Sequence, residues 1–172
     1  MNAIQLLREQ FKSAHSTMDA TMKDVSDEVA HFTDTNKALP VGAAYAHAIM
    51  GEDVVVATML AHTTPLSSDN TKTGLSEPMP SFAEWDKHDS WAKCVKVNLA
   101  KLTAFAQSVY KATDTYLATL KDKDLEKELD IPGMGKHTVA DILNNFLVLH
   151  TANLTGEISA AKGFQGHKGY PF

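Results

Sequence analysis

The sequence is poor in cysteine, in positive charge and in long apolar runs. Its single cysteine, Cys94, excludes an intrachain disulfide and a multi-cysteine zinc site. The 16 Lys and Arg residues are outnumbered by 21 Asp and Glu residues, and the net charge of −5 argues against an extended surface for nucleic acid or anionic membrane. The most apolar stretches, residues 54–60 and 142–149, are far shorter than the roughly 20 residues of a membrane span.

What is present is the composition of a globular protein. The 172 residues are 44% hydrophobic and 22% charged, which is enough for a single domain, 1–172, with a sizeable core. The first residues lack the continuous apolar run of a signal peptide, so we expect a cytoplasmic protein without a membrane partner. Eight histidines are the unusual feature, because a chain without a cysteine cluster can build a metal or acid–base site from histidine.

Apolar side chains recur every three or four residues in four long segments. This period predicts four helices, over residues 4–32, 41–61, 90–120 and 138–162. Between the second and third helices, residues 62–80 are rich in Ser, Thr, Pro and Gly and form a loop too long for a helical hairpin. No alternating strand pattern stands out. We therefore predict an all-α four-helix bundle in which a long crossover loop lets helices two and three run parallel.

Local signals mark the ends of the fourth helix and of the loop. Thr138, with Asp141 three residues later, is a predicted N-cap, and Gly163 is a predicted C-terminal cap. The predicted anchors at the far end of the loop are Phe82, Trp85 and Trp91.

Two histidines are predicted to point into the bundle. His47 lies on the apolar face of helix two, and His150 lies on a broad face of helix four whose members are three or four residues apart. Inward polar residues of helix bundles build metal and cofactor sites, whereas the alternative is a core histidine satisfied by one hydrogen bond. The predicted pocket residues are His47, His150, Asn153, Leu154 and Glu157.

Two segments resemble the DinB-like (YfiT-like) superfamily of four-helix bundles. Residues 149–158, LHTANLTGEI, are similar to that superfamily's last helix, in which histidines precede a Gly-Gln/Glu-Ile sequence. Residues 42–47, GAAYAH, followed by Glu52 and Asp53, look like its second helix, which carries one histidine and then an acidic residue. The long loop before helix three also fits, and the resemblance covers essentially the whole chain.

The resemblance implies a metal site with one ligand missing. Metal-binding members hold a divalent ion with three histidines, which correspond here to His47, His150 and the residue at 154. That residue is Leu154, which cannot ligate, so His47 and His150 are the only implied metal ligands. Leu154 is then either core packing or accompanied by a substitute ligand from the set Asn153, Glu157, Glu52 and Asp53.

The function that the resemblance implies follows from this site. It is a metal-dependent hydrolase or small-thiol transferase, in which Zn, Ni or Mn activates a water or a thiol. A small-molecule or thiol substrate and a homodimer are the implied partners. The alternative, favoured by Leu154, is a metal-free, non-catalytic bundle that binds a small molecule or a partner protein.

A further alternative is a DNA-backbone binder. Residues 131–140, IPGMGKHTVA, resemble the hairpin of a helix-hairpin-helix motif, where N–H groups at a helix N-terminus grip a phosphate. The segment from Gly133 to Thr138 would make that contact, but the net charge of −5 disfavours it, so nucleic acid is not an expected partner. Six histidines have no predicted role: His15, His31, His62, His88, His137 and His167.

Overall fold

The computed structural model describes residues 1–33, 38–131 and 133–172, and these residues are mostly helical. The α-helices are α1 (Ala3–Met22), α2 (Asp27–His31), α3 (Val41–Val54), α4 (His88–Cys94), α5 (Leu99–Thr119), α6 (Val139–Asp141) and α7 (His150–Phe164). Two π-helical segments extend the bundle, since Val55–Leu60 continues α3 and Ile142–Leu149 joins α6 to α7. Within the described part of the chain, no helix is both long and apolar enough to cross a lipid bilayer.

Four long helices form the predicted bundle. α1 and α3 each pack against both α5 and α7, which closes a ring of four. One core cluster joins the start of α3 to the start of α5 and the end of α7, and a second joins the start of α1 to Val55–Leu60 and the end of α5. Because the starts of α3 and α5 lie at the same end, these two helices run parallel, as a bundle with a crossover loop requires.

The first predicted helix is broken. α1 ends at Met22, and α2 begins after Ser26, whose hydroxyl accepts a hydrogen bond of 3.2 Å from the Val29 N–H. Apolar residues continue through the break, and Val29 is buried, so their spacing predicted one helix over 4–32. The prediction was wrong here because a serine that accepts a hydrogen bond from a first-turn N–H favours a new helix start.

The third predicted helix begins later than expected. α5 starts at Leu99, after Asn98 accepts a hydrogen bond from the Lys101 N–H at 3.0 Å, and the separate helix α4 precedes it. Val95 and Val97 between the two helices are buried. Val97 is extended and pairs with Leu75, because it belongs to the end of the crossover rather than to a helix.

The crossover is docked against the bundle over much of its length. Short 3₁₀ turns occupy Leu66–Ser68, Asn70–Lys72 and Phe82–Lys87. Of the three predicted aromatic anchors, Trp91 is buried, with 5% of its surface exposed, whereas Phe82 and Trp85 are about half exposed. α4 contacts α3, so the crossover brings its last turn onto the second bundle helix.

A small β-hairpin precedes the last helix, contrary to the prediction of no strands. β1 (Glu128–Ile131) and β2 (Gly135–Thr138) are antiparallel, and Ile131 pairs with Gly135. Ile131 is the one fully buried side chain of the two strands, so alternation is too weak to signal them. In the segment that resembles a helix-hairpin-helix motif, residues 135–138 form a strand that leads directly into α6; Pro132 lies outside the described residues.

The last helix begins as predicted and ends later. Thr138 Oγ1 accepts a hydrogen bond of 3.1 Å from the Asp141 N–H, which confirms the N-cap. Gly163 is not the C-terminal cap, since α7 continues to Phe164 and the residue with a left-handed backbone is Gly166, at φ 80°. The helix therefore ends one residue beyond the predicted glycine.

Candidate functional site

His47 and His150 meet inside the bundle. α3 and α7 pack side by side, and the Nε2 atoms of the two rings are 3.0 Å apart. The rings are nearly perpendicular, at 87°, with 5.0 Å between their centroids. His47 is buried and His150 is partly exposed, so His150 lies nearer to solvent.

Both rings are held in the neutral form. Burial, together with the positive charges that His150 and His88 would carry, lowers the pKa of His47 to about 3. Burial also lowers the pKa of His150, although the Glu157 carboxylate opposes this shift. At neutral pH one Nε2 therefore donates its hydrogen to the other, and each ring keeps a nitrogen lone pair, which is the form that binds metal.

A third histidine, His88, completes the cluster. Its ring lies edge-on to His47, with 4.7 Å between centroids, and stacks on Trp85 at 4.4 Å and 18°. It is buried, with 4% of its surface exposed, and burial lowers its pKa against the opposing charge of Asp89. The sequence prediction left His88 without a role, although its position three residues from both Trp85 and Trp91 was a signal of an aromatic, buried environment.

The remaining predicted pocket residues are one buried and two exposed side chains of α7. Leu154 is 4% exposed and belongs to the bundle core with Met18 and Ile158. Asn153 and Glu157 are exposed on α7. Leu154 thus packs in the core, whereas Asn153 and Glu157 face solvent.

The two acidic residues of α3 are engaged elsewhere. Asp53 accepts hydrogen bonds from the N–H groups of Leu66 and Ser67, at 3.1 and 2.8 Å, and so fixes the start of the crossover. Glu52 is almost fully buried and accepts hydrogen bonds from His15 Nε2 at 2.7 Å and from Thr113 Oγ1 at 2.6 Å. Neither carboxylate substitutes for the missing histidine.

The Glu52 contacts form a second polar centre that the sequence did not predict. The His15 ring stacks on Tyr110, with 3.6 Å between centroids and 12° between planes, and Tyr110 donates to Asp19 Oδ1 at 3.2 Å. A groove of about 920 Å³ between α1 and α5 runs past these side chains. Each polar atom of Glu52 is satisfied, which is typical of a structural network.

In contrast to the Glu52 network, the histidine cluster contains ring nitrogens without hydrogen-bond partners among the described residues. His47 Nδ1 and His88 Nε2 are buried and find no hydrogen-bond partner among the residues that the structure describes. In the same part of the chain, no group of three or more His, Cys, Asp or Glu side chains is already arranged to hold a metal ion. The cluster therefore offers donor atoms without a finished three-residue site.

Comparisons of the sequence and of the structure with known proteins agree with the helical bundle described above. A model of the DinB superfamily matches residues 10–153. The structure is also similar to the crystal structure of a conserved protein from Enterococcus faecalis, with a TM-score of 0.75 and 20% sequence identity over 95% of this chain and 99% of that one. No curated protein matches the chain. At this level of identity, the structural likeness concerns the fold alone.

Proposed function

Because the chain belongs to the DinB superfamily, we propose that it is a metal-dependent hydrolase or small-thiol transferase whose site is built on His47 and His150. The observation that carries the proposal is the 3.0 Å separation of the two Nε2 atoms. Two neutral imidazoles from different helices bring their Nε2 atoms together, and imidazole nitrogen suits Zn, Ni and related divalent ions. The substrate class is a small molecule or a thiol.

The imidazole nitrogens of His47 and His150 are donor atoms of the type that such an ion prefers. His47 is held by the core on α3 and would fix one coordination direction, while the partly exposed His150 would hold the ion where solvent and substrate can reach it. A bound divalent ion supplies Lewis-acid chemistry, which lowers the pKa of a water or a thiol. Leu154 contributes no ligand atom, and an ion held by two histidines alone binds more weakly than the usual three-ligand site.

The test is the metal content of the purified protein. The full chain, prepared without chelator, is expected to carry about one equivalent of a divalent metal by mass spectrometry. His47→Ala and His150→Ala are each expected to lose the metal, whereas His167→Ala, in the exposed C-terminal tail, keeps it. A wild-type content below about a tenth of an equivalent, unchanged when zinc is added and excess removed, would overturn the proposal.

A metal-free binding bundle is the second candidate, and the packing of Leu154 favours it. An apolar cavity of about 200 Å³ lies beside the site, lined by Met50, one turn from His47, and by Met79, Phe82 and neighbouring prolines. Such a cavity accepts a small apolar group without a metal. Wild-type protein without metal that binds a small apolar probe, and loses the probe in Met50→Asp, would support this candidate.

A further inference from the structure

We propose that His88 is the third metal ligand of the His47–His150 site and takes the place that Leu154 leaves without a donor atom. This inference rests on the proposed function, because it concerns the same ion. His88 is the first residue of α4 and comes from the crossover, not from the two helices that carry the other ligands. Its Nε2 atom is the proposed ligand.

The unsatisfied ring nitrogen is the main argument. A buried donor or acceptor without a partner destabilises the folded state, and most such groups in proteins are explained by a water, an ion or a functional role. His88 Nε2 is in this state within the described residues, and so is His47 Nδ1 in the ring that touches it. The unpartnered His88 Nε2, in a ring that contacts His47, indicates a place where a ligand binds.

The states of the other nearby polar side chains also favour His88 as the ligand. Glu52 and Asp53 are occupied by other hydrogen bonds, and Asn153 and Glu157 are exposed. Cys94, at the other end of α4, is exposed. Of the candidate donors around the His47–His150 pair, His88 combines burial, ring contact with His47 and a free nitrogen.

Binding requires a reorientation of the His88 ring, since no three of the described side chains already form a finished metal site. No hydrogen bond holds this ring nitrogen; its neighbours are Trp85, stacked at 4.4 Å, and Trp91, at 5.3 Å between centroids. These are the two tryptophans of the chain. We therefore expect the intrinsic fluorescence to change when the ion binds.

The experiment is a zinc titration of the full chain, followed by calorimetry and by tryptophan fluorescence. His88→Phe keeps a ring against Trp85 and removes the nitrogens. Loss of a residue that only hydrogen-bonds to a metal ligand weakens metal binding by roughly 10–100-fold, so loss of a ligand is expected to weaken zinc binding by at least that factor. His167→Ala is the matched control and binds like the wild type. Adding Leu154→His to His88→Phe is expected to restore the affinity, which separates a lost ligand from a misfolded protein.

The outcomes distinguish the two proposals. Equal zinc affinity in the wild type and in folded His88→Phe would overturn the role of His88 while leaving the His47–His150 site in place. A wild type that binds no zinc would overturn the proposed function, and the inference with it. X-ray absorption spectroscopy of the zinc-loaded wild type needs no variant: three imidazole ligands support the inference, and two overturn it.

Discussion

At the scale of single residues, Glu52 shows how the bundle buries a charge. Its carboxylate accepts hydrogen bonds from His15 and Thr113, which reach it from α1 and α5. Removal of one partner of a buried, hydrogen-bonded group is costly because the others remain without water or a partner. The His15, Glu52 and Thr113 side chains therefore tie three bundle helices together through one carboxylate.

Glu52→Ala is expected to lower the free energy of unfolding by about 3–5 kcal/mol, because His15 and Thr113 lose their acceptor in the core. Asp114→Ala is the control, because it breaks an ion pair with Arg8 on the surface. The Arg8 and Asp114 side chains are 40% and 56% exposed, respectively, so the substitution should lower the free energy of unfolding by less than about 1 kcal/mol. Urea unfolding of both variants at one pH makes the comparison. A loss for Glu52→Ala no larger than that for Asp114→Ala would contradict the structural role of this network.

At the scale of elements, the crossover depends on a close backbone approach at Gly74. Gly74 has a φ of 80°, and a Cβ there would lie 2.8 Å from the Asn98 carbonyl oxygen and 2.9 Å from the Leu102 nitrogen. The Asn98 N–H donates to the Gly74 carbonyl at 2.7 Å. This contact joins the crossover to the first turn of α5.

Gly74→Ala is expected to lower the free energy of unfolding. Backbone strain at a positive φ costs about 1–3 kcal/mol, and the clash of the new Cβ with α5 adds to this cost. Gly51→Ala is the matched control, because Gly51 lies inside α3 and a Cβ added there would meet no neighbouring side chain within 4 Å. That substitution should leave stability unchanged or raise it by up to about 1 kcal/mol. Thermal unfolding measures both, and equal stability of Gly74→Ala and the wild type would refute the docking contact.

The elements that sequence patterns predict best are those with long apolar faces. The four bundle helices and the N-cap at Thr138 follow from spacing and capping chemistry. The breaks at Ser26 and Asn98 do not, because apolar residues continue through them and only the side-chain hydrogen bond marks the new helix. The candidate site follows the same rule. His47 and His150 lie on predicted helix faces, whereas His88 contacts His47 because the crossover docks on the bundle, which periodicity does not predict.

At the scale of the whole molecule, two buried tyrosines predict how stability depends on alkaline pH. Burial, together with the nearby Asp19 carboxylate, raises the pKa of Tyr45 to about 12; burial also raises the pKa of Tyr110. In the unfolded chain both lose their protons near the ordinary value of about 10. The folded state therefore binds more protons than the unfolded state above that pH, so stability is full below it and falls as pH rises.

The free energy of unfolding should fall by up to about 1.4 kcal/mol per pH unit for Tyr45 between its unfolded and folded pKa values. Tyr45→Phe removes this contribution, and it removes a buried hydroxyl that has no partner among the described residues, so neutral-pH stability should not decrease. Tyr170→Phe, in the tail, is the exposed control. Denaturant unfolding across the alkaline range should show a shallower slope for Tyr45→Phe than for the control; identical slopes would contradict the assignment.

The histidine cluster also has a consequence for how the chain folds. His47 and His150 are 103 residues apart in sequence, and His88 arrives on a third segment between them. Closing loops of this length costs entropy before any contact is gained, so contacts of high sequence separation form late. The cluster is then complete only when the bundle has closed, and a molecule that binds it stabilises the entire native state. Ligand binding and global unfolding are then coupled. A compound that raises the unfolding temperature of the protein can therefore be identified as a ligand before its chemistry is known.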